Sequence, residues 1–204
     1  MRLVFVSPYF YPAWQYGGTP RAAYELARAL ARRGHQLTVF TTDSAGVSRL
    51  DNDGRGAPFT RQFDGLEAHY YPNVSNWLAF KHRIFLPLGM SRSIRATLKN
   101  SDVVHIHEFR SMLTIQAWCE AKRLGLPYVI SPHGGLQYLG KAIPKRIFDR
   151  LWGRRVLGKA AAVAVVSHIE SEDAADFNVH PSRIHLLPNP IPVEQFETLP
   201  PLGT

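Results

Sequence analysis

The sequence contains a single cysteine, Cys119, and no apolar run long enough to cross a bilayer. One cysteine excludes an internal disulfide and fits a reducing compartment such as the cytoplasm. The N-terminal residues have the pattern of a β-strand rather than that of a signal peptide. A G-x-G-x-x-G fingerprint, a P-loop and a nucleophile elbow are also missing, and the lack of the first argues against a dehydrogenase.

Acidic residues are absent from one long stretch. The chain of 204 residues has 24 lysines and arginines against 16 acidic residues, a net charge of +8. No acidic residue lies between Glu67 and Asp102, and Asp149 is the only one between Lys141 and Lys159. Such segregation fits an anionic partner, which could be nucleic acid, an anionic membrane or a phosphorylated substrate, or merely a solvated basic surface.

Apolar runs alternate with helical patterns along most of the chain. Strands are predicted at Leu3–Ser7, Leu37–Thr41, Val103–His107, Tyr128–Ser131, Ala162–Val166 and Ile184–Leu187. Helices are predicted at Pro20–Arg33, within Met90–Lys99, and at Ser111–Leu124, Pro144–Lys159 and Glu170–Phe177. Apolar strands between helices indicate an α/β, Rossmann-like three-layer domain with a mainly parallel sheet. Asp43–Arg61 is predicted to be a long polar loop and Leu66–Tyr71 a short edge strand.

The loop after the first strand carries a glycine pair at the start of a helix. Thr19 is predicted to cap that helix, and Pro20 fits its first turn. Free N–H groups at a helix N-terminus attract anions, and Gly17 and Gly18 allow a close approach to the backbone. The segment is therefore predicted to form half of a site for a phosphorylated ligand.

Histidines end two of the predicted strands. His105 and His107 lie on the same side of one strand, which raises a metal site as an alternative to ordinary cleft or core histidines, but no third ligand is evident. His133 follows the next strand and precedes two glycines, so it is predicted to face the same crevice as the glycine pair. Asp51-Asn52-Asp53 imitates a metal-binding D-x-D motif, yet the following Gly54 favours a surface turn.

Five ordered motifs together resemble the retaining glycosyltransferases of family 4, which have the two-domain GT-B fold. The matching residues are Pro12, Gly17 and Gly18; Leu30, Gly34 and His35; Asp102 and His107; Pro132, His133 and Gly134; and Ser167, Pro188 and Asn189. Pro190 and Pro192 replace the glycine and aspartate of the family's last motif and stiffen that segment.

The resemblance implies that residues 1–197 form the acceptor-side, N-terminal domain of such an enzyme. Residues 198–204 would begin a linker to a C-terminal domain that binds the nucleotide-sugar. The implied activity is transfer of a sugar from a nucleotide-sugar to a sugar or lipid-linked acceptor, with retention, in polysaccharide or glycolipid biosynthesis. The resemblance implies no metal and no cofactor, and this chain alone is expected to be inactive.

Site residues follow from the matched motifs. Gly17, Gly18 and Thr19 are expected to bind the donor diphosphate, and His133 is the expected catalytic residue beside the donor sugar. The acceptor wall is assigned to Trp14, Tyr16, His107 and Gln137, whose alternative role is packing within loops.

A non-enzymatic basic module that binds nucleic acid or an anionic membrane is the alternative function. Nucleic acid is not expected as a partner of the transferase. A peripheral contact with the inner face of a membrane is expected through Trp77–Leu86 and Lys141–Lys159, which mix apolar and basic residues.

Overall fold

An eight-stranded sheet forms the centre of the molecule in a computed structural model that describes residues 1–50, 56–138, 140 and 142–196. Its spatial order is β10-β9-β8-β7-β1-β2-β6-β5, and each neighbouring pair is parallel except β5 with β6. The strands are β1 (Arg2–Val6), β2 (Gln36–Thr42), β5 (Phe59–Phe63), β6 (Leu66–Tyr71), β7 (Val103–His107), β8 (Tyr128–Ser131), β9 (Ala162–Val165) and β10 (Ile184–Leu186). β3 (Ser44–Ala45) and β4 (Ser48–Arg49) form a separate hairpin.

Helices cover both faces of the sheet. They are α1 (Gly18–Arg32), α2 (Asn76–His82), α3 (Met90–Leu98), α4 (Met112–Leu124), α5 (Ala142–Phe148), α6 (Arg154–Gly158) and α7 (His168–Asp176), with a π-helical turn at Asp149–Gly153. No helix within the described ranges is long and apolar enough to span a bilayer.

The core is divided by the sheet because alternate strand residues point to opposite faces. Phe5 of β1 packs with Ala23 and Ala27 of α1 on one face. Val4 and Val6 belong to a larger cluster on the other face, with side chains of α3, α4, α6 and α7. The predicted three-layer, mainly parallel α/β fold is therefore confirmed.

Four local predictions need correction. Asp43–Arg61 is not one loop, since it contains the β3–β4 hairpin and runs into β5. Leu66–Tyr71 is not an edge strand, because β6 lies between β2 and β5. Thr19 does not cap α1: the N-cap is Gly17, whose φ of 91° requires glycine, and Thr19 lies inside the helix. The predicted helix Pro144–Lys159 is interrupted by the π-helical turn.

Two predictions lie outside the described residues. The Asp51-Asn52-Asp53 turn falls in the gap at residues 51–55, and the linker assigned to residues 198–204 lies beyond residue 196.

The strand order reverses direction at β1. From β1 the chain builds β2, β6 and β5 on one side, and then β7, β8, β9 and β10 on the other. Ligands of such sheets bind where the order reverses, at the carboxyl ends of the strands. The crevice beyond Val6 and His107, where β1 and β7 end, is thus the expected site.

Candidate functional site

A cavity of about 260 Å³ opens at this reversal point. The capped N-terminus of α4 lies at its wall, where the Ser111 hydroxyl accepts a hydrogen bond from the N–H of Thr114 at 3.1 Å. Thr19, in the first turn of α1, lies there too. The positive ends of two helix dipoles therefore face the same space. The lining residues are Pro8, Tyr9, Tyr16, Thr19, Arg83, Phe85, Glu108, Arg110, Ser111 and His133.

Glu108 is a partly buried carboxylate directly after β7. It adopts a left-handed conformation, with φ of 71°, and its Oε1 accepts a hydrogen bond from the Tyr9 hydroxyl. Burial raises the pKa of Glu108, while the Tyr9 bond and the charge of Arg83 act in the opposite direction. Glu108 was not predicted from the sequence, although its position directly after a predicted strand was a usable signal.

Three histidines stack in a row that begins with His133 at the cavity wall. The ring centroids of His105 and His107 are 4.2 Å apart, and those of His107 and His133 are 5.3 Å apart. His107 Nδ1 and His133 Nε2 share a hydrogen bond of 3.0 Å. Burial lowers the pKa of His133 to about 4, and burial with the neighbouring histidines lowers the pKa of His107 well below its usual range. At neutral pH these rings are uncharged, so they act as hydrogen-bonding groups.

The loop that carries His133 is held by Glu170. This side chain is 2% exposed. Its Oε1 accepts a hydrogen bond from the N–H of Gly134 at 2.5 Å, and its Oε2 accepts one from the N–H of Val166 at 2.8 Å. Glu170 therefore joins the end of β9 to the histidine loop as a positioning residue.

Arg110 holds the rest of that loop. Its guanidinium donates to the carbonyl oxygens of Gly135, Leu136 and Gln137 and forms two bonds, of 3.0 and 2.7 Å, with Asp149. Asp149 begins the π-helical turn, and a Cβ on Gly153 would lie 2.7 Å from its carboxylate. The turn and the loop are thus joined by one buried ion pair.

Comparison with known families decides the assignment. The model described as Glycosyltransferase Family 4 matches residues 16–195, which is most of the chain. The chain belongs to glycosyltransferase family 4. No curated protein matches this family 4 domain.

Solved structures agree on the fold. HepE of Anabaena, in complex with UDP and glucose, superposes with a TM-score of 0.63 at 12% identity, covering 98% of this chain and 47% of that one. The catalytic domain of starch synthase IV from Arabidopsis thaliana, bound to ADP and acarbose, gives 0.65 at 14% identity, with 96% and 53% covered. UDP-GlcNAc 2-epimerase from Methanocaldococcus jannaschii gives 0.55 at 12% identity, with 93% and 46% covered.

The family 4 domain thus spans about half the length of these structures, and it has the Rossmann-like fold expected for the N-terminal half of a GT-B enzyme. Since an epimerase shares the fold, likeness of fold alone does not indicate sugar transfer. That assignment rests on the family match.

Two of the residues predicted to contact the donor lie at the cavity. Thr19 and His133 line it. Gly17 and Gly18 are exposed at the start of α1, and a Cβ built on either would meet no atom within 4 Å. Open space thus lies beside both glycines.

The four predicted acceptor residues are separated. Tyr16 lines the cavity and is buried, with its hydroxyl 2.5 Å from that of Ser44. His107 lies behind His133 rather than at the surface. Trp14 is exposed and packs against Tyr24, with ring centroids 6.0 Å apart, while Gln137 lines a different cavity. Of the four, only Tyr16 lines this cavity.

The D-x-x-x-x-H motif is divided by the length of β7. Asp102 precedes the strand and forms an exposed ion pair with Arg2, whereas His107 ends the strand at the cleft. Asp102 therefore does not contribute to the cleft wall. Across the described residues, no group of three or more His, Cys, Asp or Glu side chains is arranged to hold a metal ion.

Proposed function

We propose that this domain forms the acceptor side of an enzyme that transfers a sugar from a nucleotide-sugar to a sugar or lipid-linked acceptor. The observation that carries the proposal is the polar cavity at the strand-order reversal of a family 4 domain. Retention of the anomeric configuration and a role in polysaccharide or glycolipid biosynthesis are part of the proposal, and both rest on family membership.

The donor is proposed to lie between this domain and a second, nucleotide-binding domain. The N-terminus of α1, with Gly17, Gly18 and Thr19, meets the donor diphosphate, and helix dipoles with nearby cations stabilise the leaving group without a metal. Support comes from HepE, which was solved with UDP-glucose.

His133 is proposed to contact the donor sugar. Its lowered pKa supports a neutral imidazole that forms a hydrogen bond with a sugar hydroxyl, rather than a cation that pairs with phosphate. Glu170 fixes the loop, so the ring is positioned before the donor binds.

A peripheral contact with an anionic membrane, from the cytoplasmic side, is proposed for the edge beside the cavity. Trp77, Phe80 and Ile84 are exposed there. On the neighbouring segment Ile143, Ile147 and Leu151 are exposed at four-residue spacing. Exposed apolar side chains beside lysine and arginine fit an interface between lipid tails and anionic headgroups.

The test of transfer uses the complete transferase, meaning this domain joined to its nucleotide-binding domain. Release of UDP or GDP from a panel of nucleotide-sugars is measured with and without acceptors, and NMR of the product gives the anomeric configuration. We expect acceptor-dependent turnover with retention, and none from the 204-residue chain alone because closure around the donor needs both domains. A product of inverted anomeric configuration would contradict retention. Repeated turnover by the chain alone would contradict the requirement for both domains.

The membrane contact is tested by co-sedimentation with neutral and anionic vesicles at low and moderate salt. We expect binding to anionic vesicles that weakens as salt rises and is reduced in Trp77→Ser. Equal absence from both kinds of vesicle at low salt would contradict the contact.

A further inference from the structure

A second groove continues outward from the cavity. It has a volume of about 410 Å³ and shares Arg83, Glu108 and Arg110 with the inner cavity. Its outer walls come from two separate segments, with His82 and Ile84 at the end of α2 and Pro144, Lys145 and Phe148 in α5. An elongated ligand could therefore extend from His133 to the protein edge without leaving these walls.

Arg83 is a cation held at the junction of the two spaces. Its guanidinium lies over the rings of Tyr9 and Tyr16, 5.6 and 5.1 Å from their centroids. It forms no salt bridge with any described carboxylate, although its charge influences Glu108. Stacking on two aromatic rings fixes the direction of the group and leaves its N–H donors for a ligand.

Further positive charge lies in the same groove. Lys145 donates from Nζ to the carbonyl oxygen of Gln137 at 3.1 Å. Burial and then the neighbouring Arg110 lower the pKa of Lys145, as expected where cations are brought together. A ligand anion at this position would relieve that repulsion.

The outer mouth of the groove is apolar on both sides. Ile84, which is 45% exposed, lines it on one side, and Pro144 and Phe148 line it on the other. Arg83 at the inner end and apolar side chains at the outer end match a ligand with an anionic head and a hydrocarbon tail.

We propose that this groove binds the phosphate or diphosphate of an amphiphilic acceptor. The anion contacts Arg83 and Lys145, the hydrocarbon lies against Ile84 and Phe148, and the sugar points towards His133. The inference rests on the proposed function, because it names the acceptor class of that site. A soluble sugar phosphate has the same head chemistry and lacks the tail, which the experiment distinguishes.

The test is calorimetric titration of the chain with farnesyl diphosphate, farnesol and inorganic pyrophosphate, each below its aggregation concentration. We expect farnesyl diphosphate to bind at least about tenfold more tightly than either of the other two, since both ends of the groove contribute. Arg83→Gln should weaken the binding of farnesyl diphosphate about tenfold. Arg92→Gln, which makes an equal charge change at an exposed position of α3, should leave that binding unchanged. Ile84→Ser should weaken the binding of farnesyl diphosphate and leave the binding of pyrophosphate unaffected.

Two results would overturn the inference. Equal losses in the Arg83 and Arg92 variants would show nonspecific attraction to a basic protein. Pyrophosphate binding as tightly as farnesyl diphosphate would assign the groove to soluble phosphates. If the complete transferase still turned over with neutral acceptors in either case, the groove inference would fail while the proposed function remained.

Discussion

Polar side chains are exposed at the amino edge of the sheet, where the parallel strands begin, and buried at the carboxyl edge, where these strands end. At the amino edge, Arg2 and Asp102 pair at 3.5 Å while their side chains are 54% and 38% exposed. At the carboxyl edge, His107 and Glu170 are 1% and 2% exposed. Burying a polar group lowers stability where a hydrogen bond is not replaced, and Nε2 of His107 has no hydrogen-bond partner among the described residues. The difference indicates that polar residues at the carboxyl edge serve chemistry at the expense of stability.

The volume of a cavity does not identify the functional site in this domain. The cavity at the amino edge, lined by residues that include His35 and Phe63, has a volume of about 640 Å³, which is larger than the 260 Å³ at the carboxyl edge. Only the smaller one lies at the strand-order reversal. Topology and buried polar groups identify the site, and the volume does not.

The largest expected effect is on turnover. In the complete transferase, His133→Ala should lower turnover about 100- to 1,000-fold through loss of a hydrogen bond in the transition state. The matched change at the amino edge, His35→Ala, should leave turnover unchanged. Steady-state nucleotide release and thermal unfolding are measured for both. Equal turnover in the two variants would remove the functional contrast between the edges.

The next effect is on stability. Glu170→Ala leaves the N–H groups of Gly134 and Val166 without their acceptor, which should lower the free energy of unfolding by roughly 2–3 kcal/mol. Glu170→Gln keeps one acceptor oxygen and should lose less. Glu172→Ala, an exposed change on the same helix, is the control. The free energy of unfolding is measured by urea titration. Equal losses of this free energy in Glu170→Ala and Glu172→Ala would contradict the positioning role of Glu170.

Acid should weaken the carboxyl edge selectively. Because burial places the pKa of His133 at about 4, below the ordinary value of 6.5, its contribution is complete above pH 6.5 and is lost as pH falls towards 4. A fall in pH from 7 to 5 should lower the free energy of unfolding by about 1–2 kcal/mol through His133. This value is reduced to allow for the partial exposure of the ring. Glu108 and Glu170, with raised pKa values, act in the opposite direction as pH falls.

The measurement is urea titration at both pH values. His133→Gln should lose less stability than the unaltered chain over this interval, and an identical loss would mean that His133 does not titrate as its burial requires.

The smallest effect belongs to the amino edge. Asp102→Asn removes an exposed ion pair with Arg2. Hydration of the separated side chains offsets most of the interaction free energy of that pair. We expect urea titration curves at pH 7 that cannot be separated from those of the unaltered chain. A loss as large as that of Glu170→Ala would abolish the contrast in stability.

Sequence patterns predicted the centre of the sheet better than its edge. Central strands such as Val103–His107 are nearly continuous apolar runs, which buried parallel strands require. Phe59–Phe63 alternates with polar residues at the antiparallel edge, so its pattern was weaker and β5 was missed. The short helix Asn76–His82 was also missed, because few of its residues are buried.

The site was predicted only where local chemistry marked it. Glycines beside His133 and at positions 17 and 18 are visible in the sequence. The pairing of Tyr9 with Glu108 and of Arg110 with Asp149 joins residues that are far apart in the chain. No local spacing encodes such contacts, since they arise from the strand order.

The guanidinium of Arg110 limits how this domain could be redesigned. It binds three consecutive carbonyl oxygens and both oxygens of Asp149, a pattern that needs a planar group with several N–H donors. A lysine there would keep the charge and lose the shape of the loop. Libraries that seek new acceptors should therefore keep Arg110 and Asp149 constant and vary the groove walls, where a substitution alters the ligand contact and leaves the loop in place.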